Sequence, residues 1–145
     1  MELRAITEQN YQKILDLSTG TGQEEFVAQN VRSLAQAWVF RKTARPYALY
    51  EGEEPVGFIM LDWRPEEKTA EIWRFMIDYR YQGKGYGRAA MELALEKIRQ
   101  ARLFDRAQLY CVPGNEKARA LYRSLGFRET GNTLDGEIQM ELILE

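Results

Sequence analysis

The sequence predicts an α/β fold of α+β type, a mixed, mostly antiparallel central sheet with helices on both faces. Three observations predict it. Turn residues at Glu51-Gly52-Glu53-Glu54-Pro55 and Pro65-Glu66-Glu67-Lys68 separate strand-like runs, as in antiparallel hairpins. From Thr69 to Val112 a strand, a glycine loop, a strong helix and another strand follow one another, which is a β-α-β unit. A last pair of strands is divided by Asp135-Gly136.

In order, Leu3-Arg4-Ala5-Ile6 alternates apolar and polar residues and reads as a first strand. Thr7 is the expected N-cap of a helix bearing Ile14, Leu15 and Leu17, which Ser18-Thr19-Gly20-Thr21-Gly22 ends. A second helix is expected from about Gln23-Glu24-Glu25, with Phe26, Val27, Val31, Leu34, Ala35 and Trp38 at roughly helical spacing. Pro46 opens a strand over 47–50, and 56–63 is its partner. Residues 69–77 form a longer strand with several bulky side chains. The helix at 85–102 has Ala89, Ala90, Leu93, Ala94, Lys97 and Ile98 on related faces. A strand at 107–112, the break Pro113-Gly114 and a short helix at 115–125 follow, stopped by Gly126. Strands at 127–130 and 138–144 complete the order β-α-α-β-β-β-α-β-α-β-β. No repeat, linker or low-complexity stretch divides the chain, so one domain over 1–145 is expected.

Composition narrows the function. The chain has 145 residues, 45% hydrophobic and 29% charged, ordinary values for a globular protein. No apolar run reaches the length of a bilayer span, and Met1-Glu2-Leu3-Arg4-Ala5 lacks the regions of a signal peptide. A net charge of -2 gives no electrostatic footprint for nucleic acid. Neither nucleic acid nor membrane is therefore an expected partner. The single cysteine, Cys111, excludes an intramolecular disulfide and is compatible with a reducing cytoplasm, the expected location. Histidine is absent, which removes Ser-His-Asp and Cys-His catalysis and the commonest metal ligand. No metal is expected, and a general base must be a carboxylate, tyrosine, lysine, cysteine or water.

The segment from Asp78 to Arg88 lies between a strand and a strong helix. Its glycines permit a tight turn and close approach of backbone to ligand. The first N–H groups of the helix have no intrahelical partner, and with the helix dipole they suit a pyrophosphate. Lys84 and Arg88 add positive charge. A nucleotide P-loop would need Ser or Thr after Lys84, where Gly85 stands. A dinucleotide fingerprint would need a glycine at Arg88. Read alone, the loop is an anion site or a glycine-rich turn with no ligand.

Two segments carry a resemblance. Gln82, Gly85 and Gly87 fit Gln/Arg-x-x-Gly-x-Gly/Ala, and Asn115, Ala118, Leu121, Tyr122, Gly126 and Phe127 fit Asn-x-x-Ala-x-x-Leu-Tyr-x-x-x-Gly-Phe. Both resemble signatures of the GNAT N-acetyltransferase superfamily, and the element order resembles that acyl-CoA N-acyltransferase fold over essentially the whole chain. The resemblance implies acetyl-CoA as cosubstrate. It implies that backbone groups of Phe75, Met76 and Ile77 pair with the pantetheine arm. Gln82 and the loop of Gly83, Lys84, Gly85, Tyr86, Gly87 and Arg88 would cradle the pyrophosphate. Asn115 would bind the cofactor by its side chain, and Lys117 and Arg119 would either reach the nucleotide phosphates or be solvated.

The chemistry needs a deprotonated amine and a proton for the leaving thiolate. A backbone N–H near Ile77 is a candidate oxyanion donor. Helical periodicity reads Tyr122 as a packing residue beside Ala118, Leu121 and Leu125. The resembled signature makes it the general acid instead. Glu71 precedes Gln82 by the interval of the catalytic glutamate in the superfamily's histone acetyltransferases. It is a general base or an exposed strand glutamate, with water chains as the other route. Arg74 organises acceptor carboxylates or pairs with an acid. Cys111 reads as a small apolar residue on a buried strand.

Within the superfamily the chain is similar to bacterial spermine/spermidine acetyltransferases. Tyr47-Ala48-Leu49-Tyr50-Glu51-Gly52, Val56-Gly57-Phe58 and Trp73-Arg74-Phe75-Met76-Ile77-Asp78 carry that likeness. It implies a small-molecule primary amine, a polyamine, acetylated directly in a ternary complex. Other amines and a non-catalytic coenzyme A-binding domain are the alternatives. Members often dimerise, which leaves a homodimer open.

Overall fold

The computed structural model describes residues 1–20 and 29–145. Along the chain they form β1 (Glu2–Arg4), α1 (Tyr11–Leu15), α2 (Asn30–Val39), β2 (Ala44–Glu51), β3 (Glu54–Arg64), β4 (Thr69–Ile77), α3 (Tyr86–Ala101), β5 (Arg106–Cys111), α4 (Glu116–Ser124), β6 (Arg128–Leu134) and β7 (Glu137–Ile143). The order of types matches the expectation from sequence. The start of the second helix expected around Gln23, Glu24 and Glu25, with Phe26 and Val27, lies outside the described residues.

The strands form one sheet in the order β1-β2-β3-β4-β5-β7-β6. Only β4 and β5 run parallel, because α3 carries the chain across between them. The other neighbours are antiparallel. Side chains alternate between the two faces. On one face Ile59, Leu61, Ile72 and Leu109 pack with Ala90, Met91, Ala94 and Ile98 of α3. On the other, Ala48, Phe58, Met60 and Met76 pack with Ile14 of α1 and Ala37 of α2. Helices therefore cover both faces.

Some expectations change. The first helical stretch begins at Tyr11 rather than after Thr7; the residues between form a turn in which the Thr7 carbonyl accepts from the N–H groups of Asn10 and Tyr11. On α2 the buried residues are Asn30, Ser33 and Ala37, whereas Val31 and Trp38 are 58% and 68% exposed. Apolar spacing at Val31, Ala35 and Trp38 therefore does not mark the packed face. Asn30 turns inward because its Nδ2 donates to the carbonyl of Ile14 at 2.8 Å, near the end of α1. Pro46 lies inside β2, not at its start. On the β1 side the missing N–H breaks no ladder bond, because β1 pairs only with Ala48, Leu49 and Tyr50.

One irregularity positions the site. Met60 pairs with Arg74, but the next residue, Leu61, pairs with Ile72. Trp73 is thus an extra residue, a β-bulge that re-aims β4. The parallel ladder between β4 and β5 ends at Ile72 and Leu109. Beyond it β4 continues against β3 to Ile77, and β5 continues against β7 to Cys111. The two central strands part from Trp73 and Tyr110 onward.

Candidate active site

A cavity of about 600 Å³ occupies the gap between the parted strands. Its walls include Trp73 to Ile77 of β4 and Tyr110 and Cys111 of β5, with parts of the α3 and α4 N-terminal turns. A gap between parallel strands leaves backbone groups of β4 without a β5 partner, so an extended ligand can pair with them as a strand would. Phe75, Met76 and Ile77 line the cavity at that edge.

The loop into α3 is built for an anion. Asp78, 1% exposed, accepts from the N–H groups of Ser18 and Arg80, each at 3.0 Å, and from Arg80 Nε at 2.8 Å. Burial pushes its carboxyl up, but these donors outweigh burial and hold it below the usual carboxylate range. Gln82 Nε2 donates to the Ile77 carbonyl at 3.0 Å and ties the loop back to the strand. Gly83 and Gly85 have φ of 80° and 83°, left-handed conformations that glycine adopts without strain, and a Cβ at either would meet nothing within 4 Å. The open cradle leads into the first turn of α3, where Tyr86, Gly87 and Arg88 have N–H groups free of intrahelical partners. These features fit a pyrophosphate. Gln82, Gly83, Gly85, Tyr86, Gly87 and Arg88 all line the cavity. Lys84 does not; its ammonium sits over the Tyr81 ring at 5.8 Å.

From the second signature, Asn115, Lys117, Ala118, Leu121 and Tyr122 reach the cavity. Asn115 stands at the N-cap of α4 but makes no side-chain cap bond, which leaves its amide for a ligand. Arg119 stays outside, because Glu116 Oε1 at 2.8 Å and the Glu129 carboxylate hold its guanidinium. Lys117 is the α4 cation that lines the cavity. The Tyr122 ring packs edge-on against Phe127, with centroids 6.1 Å apart. No described group hydrogen-bonds its hydroxyl, and burial raises its pKa well above the ordinary tyrosine value. It is a protonated phenol at the cavity wall. Cys111 is 2% exposed, and burial pushes its thiol up as well, which makes it a poor nucleophile.

Glu71 is not the exposed strand residue that one reading of the sequence allowed. It is 6% exposed, and Gln108 Nε2 donates to its Oε1 at 2.9 Å while Arg64 pairs with the same oxygen at 3.1 Å. Burial raises its pKa; the Gln108 bond and Arg64 oppose the rise, and Asp62 adds to it. Glu71 does not itself line the cavity, although Ile72 next to it does. Arg74 lines the cavity and reaches α2, where its Nη2 donates to Gln36 Oε1 at 3.0 Å. Burial lowers its pKa against the pull of Glu137 and Glu71. Trp73, Tyr110 and Glu137 are lining residues that sequence reasoning did not assign to the site. The bulge that brings in Trp73 has no local signature, whereas the turn at Asp135-Gly136 marks where Glu137 starts its strand.

A family model described as the Acetyltransferase (GNAT) family matches residues 11–127. A spermine/spermidine N(1)-acetyltransferase of Bacillus subtilis is 30% identical over 137 residues, covering 90% of each chain. The fold is similar to spermidine N-acetyltransferase from Vibrio cholerae in complex with coenzyme A and spermine, with TM-score 0.78 and 19% identity over 98% of this chain and 94% of that one. It is also similar to the PaiA N-acetyltransferase of Thermoplasma acidophilum in complex with coenzyme A, with TM-score 0.77 and 16% identity over 99% and 98%. With a glycine loop opening into free N–H groups at α3, an unpaired strand edge and two family signatures meeting at one cavity, the chain belongs to the GNAT family and is an acetyl-CoA-dependent N-acetyltransferase.

Proposed function

We propose that the acceptor is a primary amine of a polyamine such as spermidine or spermine, acetylated by direct attack within a ternary complex. The observation that carries this reading is the cavity through the parted strands, with Tyr122 on its wall and Glu137, Arg74 and Trp73 lining it from β7 and the β4 bulge. Glu71 and its paired neighbour Asp62 lie on the sheet face covered by α1 and α2. Carboxylates there favour a polycation over a neutral amine. The Bacillus subtilis relative, matched over nine-tenths of both chains, supports the same substrate class.

When bound, acetyl-CoA supplies the thioester that the amine attacks. The amine nitrogen forms its bond to the acetyl carbon as the carbon–sulfur bond breaks. Glu71 takes the amine's proton through water, because Glu71 is not itself among the residues that line the cavity. Tyr122 gives its proton to the departing sulfur. Phe75, Met76 and Ile77 offer backbone groups to the pantetheine arm. Gln82, Gly83, Gly85, Tyr86, Gly87 and Arg88 hold the pyrophosphate, and Asn115 and Lys117 add contacts. The same reading takes residues 1–145 as one domain working in the cytoplasm. A homo-oligomer is consistent with a dodecameric spermidine N-acetyltransferase of Vibrio cholerae among the structural neighbours.

A panel of amines with acetyl-CoA and free-thiol detection tests the acceptor. Spermidine and spermine are expected to give the highest kcat/KM, above aminoglycosides, amino acids and peptide N-termini. Thiol release with one of those and none with spermidine would discard the polyamine. Tight coenzyme A binding without release with any amine would discard catalysis.

A further inference from the structure

A chain of side-chain hydrogen bonds crosses four strands, from β6 through β7 and β5 to Glu71 on β4. Thr130 Oγ1 donates to Gln139 Oε1 at 2.7 Å, and Asn132 Nδ2 donates to the same oxygen at 3.2 Å. Gln139 Nε2 donates to Gln108 Oε1 and to the Tyr110 hydroxyl oxygen, both at 3.2 Å. Gln108 Nε2 donates to Glu71 Oε1 at 2.9 Å. Gln139 thus uses both amide hydrogens and receives two donors, which fixes which way its amide faces. Gln108 has the same forced orientation, since its oxygen is taken by Gln139 and its nitrogen by Glu71. Apart from the Gln139 bond to Tyr110, each donor aims toward the carboxylate, so these bonds polarise one another in its favour. One branch ends on Tyr110, which lines the cavity.

We propose that Gln139, on β7 and outside the cavity, is a positioning residue for acetyl transfer: it locks Gln108 and Tyr110, and through Gln108 it holds the ionised Glu71 carboxylate in its working orientation. This rests on the reading of Glu71 as base. The charged groups that face Glu71 are Asp62 and Arg64 from β3 and Arg74 on its own strand, while β5 offers the neutral Gln108. Arg74 is in turn affected by Glu137 of β7 and Arg32 of α2. Gln108 is therefore the neutral donor to the carboxylate, and Gln139 is what orients it.

The test is the acidic limb of kcat against pH with both substrates saturating, in Gln139→Met, Gln139→Glu and Glu71→Gln. Gln139→Met keeps the length but loses both donors, and the limb is expected to move up by about half a unit to one unit. Gln139→Glu is expected to move it further, and KM for acetyl-CoA should stay unchanged in both. A limb that stays at its wild-type position in Gln139→Met while Glu71→Gln abolishes it overturns the positioning role and leaves Glu71 as base. A limb that survives in Glu71→Gln overturns the base reading and the role of Gln139 with it. Should Gln139→Met fail to fold, Thr130→Val removes one donor at the sheet edge. A smaller upward shift there supports the proposal, and an unmoved limb overturns it.

Discussion

In the proposed chemistry Tyr122 and Glu71 move protons in opposite directions, and burial acts on both. Burial favours the neutral form of each, so Tyr122 keeps the proton it must give, and Glu71 accepts one more readily than a solvated carboxylate. Tyr122→Phe is expected to lower kcat by about 10²- to 10⁴-fold with coenzyme A affinity unchanged; steady-state kinetics and titration calorimetry check both halves. The sign for Glu71 follows from its raised pKa. The ionised, active form is lost as pH falls through a value above the ordinary 4.5, so turnover in Glu71→Gln should lose its acidic limb. For stability the sign is reversed. The protonated form is the better buried one, so the contribution is fully present below the ordinary value and is lost as pH rises through the raised one. Tyr122 was legible in the sequence because its spacing from Asn115 is part of a signature. Gln108 and Gln139 were not, because alternating glutamines on strands look like solvated residues until their partner 31 positions away is known.

The elements were legible in type and order because turns, glycines and periodicity are local signals. Which way an element faces is set by distant partners. Asn30 fixes the phase of α2 through Ile14, and Glu129 on β6 draws Arg119 away from the cavity. The strand geometry makes a stability prediction. A Cβ added at Gly57 on β3 would lie 2.4 Å from the Met76 carbonyl oxygen of β4 and 3.0 Å from side chains of Leu49 and Ile77. Backbone cannot yield as a flexible side chain can. Gly57→Ala is therefore expected to destabilise by about 1–3 kcal/mol, read as a lower denaturant midpoint at unchanged slope. It should also weaken coenzyme A binding if Met76 and Ile77, which line the cavity, meet the pantetheine arm as proposed.

At the scale of the molecule, two signatures far apart in sequence meet because β4 and β5 pair only as far as Ile72 and Leu109. In the proposed reading one side of the gap receives the cofactor and the other is left for the amine. The cofactor side was readable, since loop glycines and the Asn115 to Tyr122 spacing are short-range patterns. The amine side was not, because a bulge at Trp73, an arginine from β4 and a glutamate from β7 compose it. Direct transfer across this gap is the step the proposed chemistry requires. The measurement that tests it most directly is mass analysis of one quenched reaction with acetyl-CoA and spermidine, reading amine and protein together. One acetyl group on a primary amine of spermidine per thiol released, with the protein mass unchanged, is the predicted result. Thiol release without acetylated amine, or an acetyl group retained on the protein, would contradict it.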